Sequence, residues 1–174
     1  MPAALHIRPV RSQDAEALWS VLEPVIRAGE TYPVPRDMTR EAALDYWLSP
    51  NHVVHVACDE EAMLGTYYLR ANNAGGGAHV ANCGYMVARG AEGRGVARAM
   101  CAHSFELARA KGFRAMQFNF VIASNTRAAR LWQSMGFTIM CRLPGVFAHP
   151  SLGYVDAFVM FRDLLNEESK GAAR

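Results

Sequence analysis

The chain has 174 residues, of which 51% are hydrophobic and 20% charged, with a formal net charge of +2. That is one domain's length with enough apolar residues for a real core, and it excludes both a disordered chain and the basic stripe of a nucleic-acid binder. No apolar stretch approaches the ~20 residues that span a bilayer, and the N-terminus lacks a basic segment followed by a secretory apolar run, so a cytoplasmic protein with no membrane partner is expected. Cys58, Cys83, Cys101 and Cys141 form no CxxC pair and read as free thiols.

In chain order, Leu5–Val10 reads as a first strand and Ser12 as the cap of a helix running to about Ala28, with Leu18, Trp19, Leu22 and Ile26 at helical spacing. Two prolines make 29–37 a loop, and Thr39 opens a short helix whose inner face is Ala43, Leu44 and Trp47. The period then changes. Val53–Cys58 and Met63–Arg70 predict a hairpin, and 79–87 a further strand in which Gly84 marks a bulge or a close backbone approach. Gly95–Lys111 predicts a helix stopped by Gly112. Phe113–Ile122 predicts a strand with Met116, Phe118, Phe120 and Ile122 on one face, and Ser124 or Asn125 caps a helix that carries Ala128, Leu131, Trp132 and Met135. Apolar segments at 137–143 and 154–161 complete a mixed sheet. The order predicts one α/β domain over 1–165, followed by a polar tail over 166–174.

The chemistry-bearing run is Tyr85-Met-Val-Ala-Arg-Gly-Ala-Glu-Gly-Arg-Gly-Val-Ala-Arg98. A strand ends near Val87, a glycine-rich turn follows and a helix begins near Gly95, so unpaired N–H groups and the positive end of the helix dipole converge there on an anion. Arg94 and Arg98, with Arg89 as an outer candidate, add charge-assisted contacts. The P-loop pattern GxxxxGK[ST] is absent, and Arg98 stands where a dinucleotide fingerprint needs a third Gly or Ala.

A second segment, Asn125-Thr-Arg-Ala-Ala-Arg-Leu-Trp-Gln-Ser-Met-Gly-Phe137, begins three residues beyond the strand. Together with Glu92-Gly-Arg-Gly-Val-Ala97 it resembles the GCN5-related N-acetyltransferase family, whose phosphate loop reads Gln/Arg-x-x-Gly-x-Gly/Ala and whose later helix reads Asn-x-x-Ala-x-x-Leu-Tyr-x-x-x-Gly-Phe. Two departures stand out. Glu92 replaces the usual Gln or Arg, and Trp132 replaces the Tyr that protonates the leaving thiolate in many members; an indole N–H donates a hydrogen bond but no proton at neutral pH.

The resemblance implies a mixed, mostly antiparallel sheet of about six or seven strands with about four helices, splayed between strands 4 and 5. It also implies direct acetyl transfer from acetyl-CoA to an amine. Pantetheine would pair with backbone near Met86 and Val87, and pyrophosphate would lie over Glu92, Gly93, Arg94, Gly95, Val96, Ala97 and Arg98. Asn125 and Trp132 would line the cofactor site. Residues 78–91 and 113–124 contain neither Asp nor Glu, which excludes a carboxylate base on either central strand. Asn82-Cys-Gly-Tyr-Met-Val and Phe118-Asn-Phe-Val-x-x-x-Asn125 look like the fungal proline-analogue N-acetyltransferases and their bacterial relatives. In those proteins the matching asparagines, here Asn82 and Asn119, hold and polarise a small amino acid, with backbone at Phe120 helping to bind its carboxylate. Glu30, Thr31 and Tyr32 lie in the loop that covers the acceptor in the family. His52 and His55 lack a third ligand, so no metal is expected. The expected acceptor is a small-molecule amine, with a homodimer left open; the competing readings are a protein N-terminal or lysine acetyltransferase and a catalytically silent acyl-CoA-binding module.

Overall fold

The computed structural model describes residues 5–60 and 62–165; the polar tail expected over 166–174 lies outside the described residues. A seven-stranded sheet runs β1 (His6–Pro9), β2 (Val53–Cys58), β3 (Met63–Ala71), β4 (Val80–Val87), β5 (Ala115–Ile122), β7 (Gly153–Asp163) and β6 (Thr138–His149) in spatial order. Neighbours are antiparallel except β4 and β5. Helices α1 (Ala15–Ala28) and α2 (Arg40–Trp47) cover one face, and α3 (Val96–Ala110) and α4 (Thr126–Ser134) the other.

The one parallel pair is short. Only Val80 and Ala81 pair with Ala115 and Met116, after which the strands part. At the point of parting the Asn82 side chain donates from Nδ2 to the Gln117 carbonyl at 2.9 Å, replacing a ladder bond. The expected splay is therefore present, with an asparagine at its apex.

Each face has its own core. On the α3 side Met100, Cys101 and Phe105 pack with Tyr67, Met116, Phe118 and Trp132; on the α1 side Leu18, Leu22 and Ile26 pack with Trp47, Val54, Tyr68 and Met86. The helix α2 is tied to the sheet by a buried chain in which Trp47 Nε1 donates to Thr66 Oγ1 at 3.0 Å and Thr66 Oγ1 donates to the His55 carbonyl at 2.9 Å.

Several local expectations are corrected. Ser12 does not cap α1: a 3-10 turn over Ser12–Asp14 precedes it, and the Asp14 carboxylate organises the entry by accepting from the Arg11 N–H and the Arg8 guanidinium. The four apolar residues of β5 do not share a face. The register with β7 shifts between Phe118 and Val121, so Met116, Phe118 and Val121 enter the α3-side core while Phe120 and Ile122 pack with Phe147. Strand β6 does not end at Leu143; a second irregularity between Leu143 and Phe147 absorbs Pro144, with the Gly145 N–H held by Asp156 Oδ1 at 2.8 Å. Gly84 marks close approach and no bulge: its β3–β4 register is regular, and a Cβ there would stand 2.6 Å from the Tyr68 ring and 2.9 Å from the Tyr32 hydroxyl.

Candidate functional site

The splay opens into a cleft of about 900 Å3 that runs from the start of α3, between β4 and β5, to the loop after α1. Its two ends differ in chemistry.

At the first end the chain leaves β4 through Gly90, Gly93 and Gly95, all with positive φ, and Gly95 caps α3 at φ 81°. These are conformations that L side chains rarely adopt, which is why the loop is glycine-rich. The first ladder bond of α3 runs from the Ala99 N–H to the Gly95 carbonyl at 3.0 Å. The N–H groups of Val96, Ala97 and Arg98 therefore precede the ladder and present the positive end of a 15-residue helix to the cleft. A Cβ at Gly95 would meet nothing within 4 Å, so the space above the turn is open to a ligand. This is a built anion cradle.

Its cations are partly those expected. Arg98 lines the cleft and is steadied by Ser134 Oγ at 2.8 Å. The Arg94 side chain is turned away, paired with Asp59 at 3.0 Å, so only its backbone belongs to the turn. Arg127 and Arg130 on α4 line the cleft instead, the Arg127 guanidinium lying 3.4 Å from where a Gly93 Cβ would be. Sequence reasoning missed these two, although their spacing of three on the polar face of α4 was the available signal. Glu92 contributes no donor: its carboxylate accepts from the Gly90 N–H at 2.7 Å, and the backbone N–H groups of Glu92 and Gly90 hold its pKa below the usual carboxylate range.

In the middle, Met86 and Val87 border the gap, and Asn125 caps α4 by accepting from the Ala128 N–H at 3.2 Å. That bond commits the Asn125 carbonyl oxygen and leaves its amide as a donor. Trp132 is buried against Tyr85 and Phe118, with ring centroids 5.0 and 5.3 Å apart. The Tyr85 hydroxyl points into the α3-side core, bonded to Ser104 at 2.7 Å, and burial raises its pKa well above the ordinary phenol value. Neither ring can hand over a proton in the cleft.

At the far end Tyr32 reaches across to donate to the Tyr85 carbonyl at 2.9 Å, closing the cleft with Tyr68 and Tyr46 beside it. Burial pushes the Tyr32 phenol strongly upward as well. Asn82 is 6% exposed and lines this end with Asn119, whose Nδ2 donates to Asn72 Oδ1 at 2.7 Å and whose Oδ1 accepts from Gln117 Nε2 at 2.9 Å. Phe120 also lines the cleft. Glu30 does not: it is exposed just beyond the left-handed Gly29 that ends α1, and Thr31 and Tyr32 are the loop residues turned inward. Among the described residues no group of three or more His, Cys, Asp or Glu stands together as a metal site, and no helix is long and apolar enough to cross a membrane.

A cleft with a positive cradle at one end, unpaired strand edges in its middle and neutral amides at the other suits a long anionic cofactor meeting a small polar acceptor. The comparisons agree. Residues 19–137 match the Acetyltransferase (GNAT) family. The chain is 29% identical over 153 residues to the N-acetyltransferase aca1 of Schizosaccharomyces pombe, covering 77% of this chain and 72% of that protein. A GCN5-related N-acetyltransferase structure from Kribbella flavida superposes with a TM-score of 0.88 at 40% identity, over 92% of this chain and 98% of the other. The yncA structure from Salmonella typhimurium, which contains its cofactor acetyl-CoA, superposes with a TM-score of 0.82 at 18% identity over 98% of this chain and 100% of that one. With more than half its length inside the family match and the family's splayed sheet around the cleft, the chain belongs to the GNAT family of acetyl-CoA-dependent N-acetyltransferases.

Proposed function

We propose that the chain acetylates the amine of a free small molecule, an amino acid or a proline-like analogue, by direct transfer within one ternary complex. The observation that carries this reading is the closed acceptor end: Tyr32 spans the cleft to the Tyr85 carbonyl, and the polar groups behind it include the neutral asparagines Asn82 and Asn119. A peptide tail needs an open groove, and a basic tail needs acidic residues; among the described residues Glu92 is the only carboxylate on the cleft wall, and it is folded onto its own loop at the opposite end. The similarity to a fungal N-acetyltransferase supports acetyl transfer to nitrogen.

Acetyl-CoA supplies the acetyl group as a thioester: a nitrogen–carbon bond forms, the carbon–sulfur bond breaks, and the amine proton leaves as the thiolate becomes a thiol. The chain's residues bind and orient. Val96, Ala97 and Arg98, with the turn Glu92-Gly-Arg-Gly95, hold phosphate through backbone N–H groups, while Arg98, Arg127 and Arg130 add charge. Met86 and Val87 offer strand-edge backbone, the Asn125 amide donates, and Trp132 forms an apolar wall. Asn82 and Asn119 orient the acceptor nitrogen beside Phe120. The Glu92 carboxylate and the Tyr32 and Tyr85 hydroxyls are committed to hydrogen bonds within the protein, so protons pass through water, and burial of the amine in the cleft favours its neutral, nucleophilic form.

The test is a thiol-release assay over free amino acids, proline analogues, aminoglycosides, polyamines and peptide N-termini, beside calorimetry with acetyl-CoA. Turnover confined to small free amines is expected. A preference for peptides favours a protein acetyltransferase, and tight acetyl-CoA binding with no turnover favours a silent binding module; either outcome removes the proposal.

A further inference from the structure

Resting on that reading, we infer that Arg70 determines acceptor specificity by pairing with a carboxylate of the substrate, so that the acceptors are amino acids with a free carboxylate and not simple amines. Arg70 lies on β3 directly opposite Asn82 of β4. Directly opposed residues of an antiparallel pair project from the same face with their Cβ atoms about 5 Å apart. Both line the cleft at the apex of the splay, beside Tyr68. Arg70 is half-buried, and its guanidinium has no ion pair or hydrogen bond among the described residues.

An arginine in that position can take an anion, and the described residues around it supply none. Asn72, Asn82, Gln117 and Asn119 are neutral, Tyr32 and Tyr68 are kept protonated by burial, and Glu92 lies at the phosphate end. The other arginines of the cleft, Arg98, Arg127 and Arg130, all belong to the α3 and α4 end. The cleft thus carries two separate positive features, one at each end. The first suits phosphates. The second, a single planar fork beside an asparagine, suits one carboxylate, which it can take in two parallel hydrogen bonds. An α-amino acid held this way presents its nitrogen on the carbon next to the anchored carboxylate, toward the asparagines. The Arg70 charge also disfavours an ammonium nearby, which assists loss of the amine proton.

The experiment compares each amino acid that the wild-type chain acetylates with its carboxamide and its decarboxylated amine, L-proline with L-prolinamide and pyrrolidine for example, in wild type, Arg70→Gln and Arg70→Lys. Wild type should prefer the free acid by roughly ten- to a hundredfold in kcat/KM, the range of a charge-assisted hydrogen bond. In Arg70→Gln that preference should disappear, chiefly through a higher KM for the acid, with acetyl-CoA affinity by calorimetry unchanged. Arg70→Lys should retain part of it. If wild type takes acid and carboxamide equally well, or Arg70→Gln keeps the preference, the role of Arg70 is refuted while small-molecule acetylation stands. If no free amine is acetylated by wild type, the underlying reading fails instead. Should Arg70→Gln not fold, the wild-type preference and Arg70→Lys still decide the matter.

Discussion

Asn82 carries two duties, because its side chain both bonds the Gln117 carbonyl and borders the cleft just past the last rung of the parallel pair. Asn82→Ala should cost about 1–3 kcal/mol of stability, the range for stranding a buried acceptor. Its turnover should fall by roughly tenfold or more through lost positioning, with acetyl-CoA affinity nearly unchanged. Chemical denaturation, steady-state rates and calorimetry on one preparation check all three, and unchanged kinetics would remove Asn82 from the acceptor site. Asn119→Ala is milder for the fold because Asn119 is exposed, so a comparable rate loss there would report acceptor binding alone. Gly95 makes the opposite kind of prediction. Gly95→Glu sets a carboxylate into the open space over the α3 start and places a side chain at a φ of 81°. Calorimetry should show acetyl-CoA binding weakened at least tenfold, with a stability loss of about 1 kcal/mol or more from backbone strain.

Among the elements, α2 shows how a short helix is fixed by a few buried groups. Eight residues are too few to persist on propensity, and α2 is held by Trp47, which is fully buried, edge-on to Tyr68 and bonded to Thr66. Thr66→Val keeps the shape and leaves the indole N–H without its acceptor. A loss of about 1–3 kcal/mol in urea denaturation is expected, and no loss would show that another acceptor serves the indole. The inner face of α2 was legible in advance because Ala43, Leu44 and Trp47 follow helical spacing, and the glycine turn before α3 was legible because few other residues could build it. What periodicity could not show was the slip between Phe118 and Val121. A bulge leaves the composition of a strand unchanged while exchanging its faces, and only pairing with β7 reveals it. Arg70, Arg127 and Arg130 escaped for a related reason: each reads as an ordinary polar-face residue until β3 and α4 are brought around one cleft.

Across the whole molecule, the pH response should centre on His55. It is 7% exposed, stacked on Tyr67, 5.1 Å from the His103 ring, and its Nδ1 has no hydrogen-bond partner. Burial first, then the neighbouring His103 and Lys111 charges, lower its pKa to about 4. A histidine whose folded pKa lies below its unfolded value near 6.5 binds more protons when unfolded. Stability is therefore complete above about pH 6.5 and falls as the pH drops toward 4, by about 3 kcal/mol at most from this one group. The carboxylate of Asp14, held down by its hydrogen bonds to Arg8, adds a loss only at lower pH still. Thermal melts from pH 8 to 4.5 should show a progressive decline that His55→Phe flattens; a His55→Phe profile parallel to wild type would assign the acid sensitivity elsewhere.

The two-rung contact between β4 and β5 has a mechanical meaning. Strands β1–β4 and strands β5–β7 share the α3-side core, but within the sheet they are joined by one short ladder and the side-chain bonds of Asn82 and Asn119, so the backbone leaves the sheet open along the cleft. A ligand that fills the opening takes the place of the missing rungs. Apparent stability should then rise with the logarithm of acetyl-CoA concentration. Amide exchange should slow most along Gln117–Phe120 and Met86–Val87, the two edges that the backbone alone leaves unjoined.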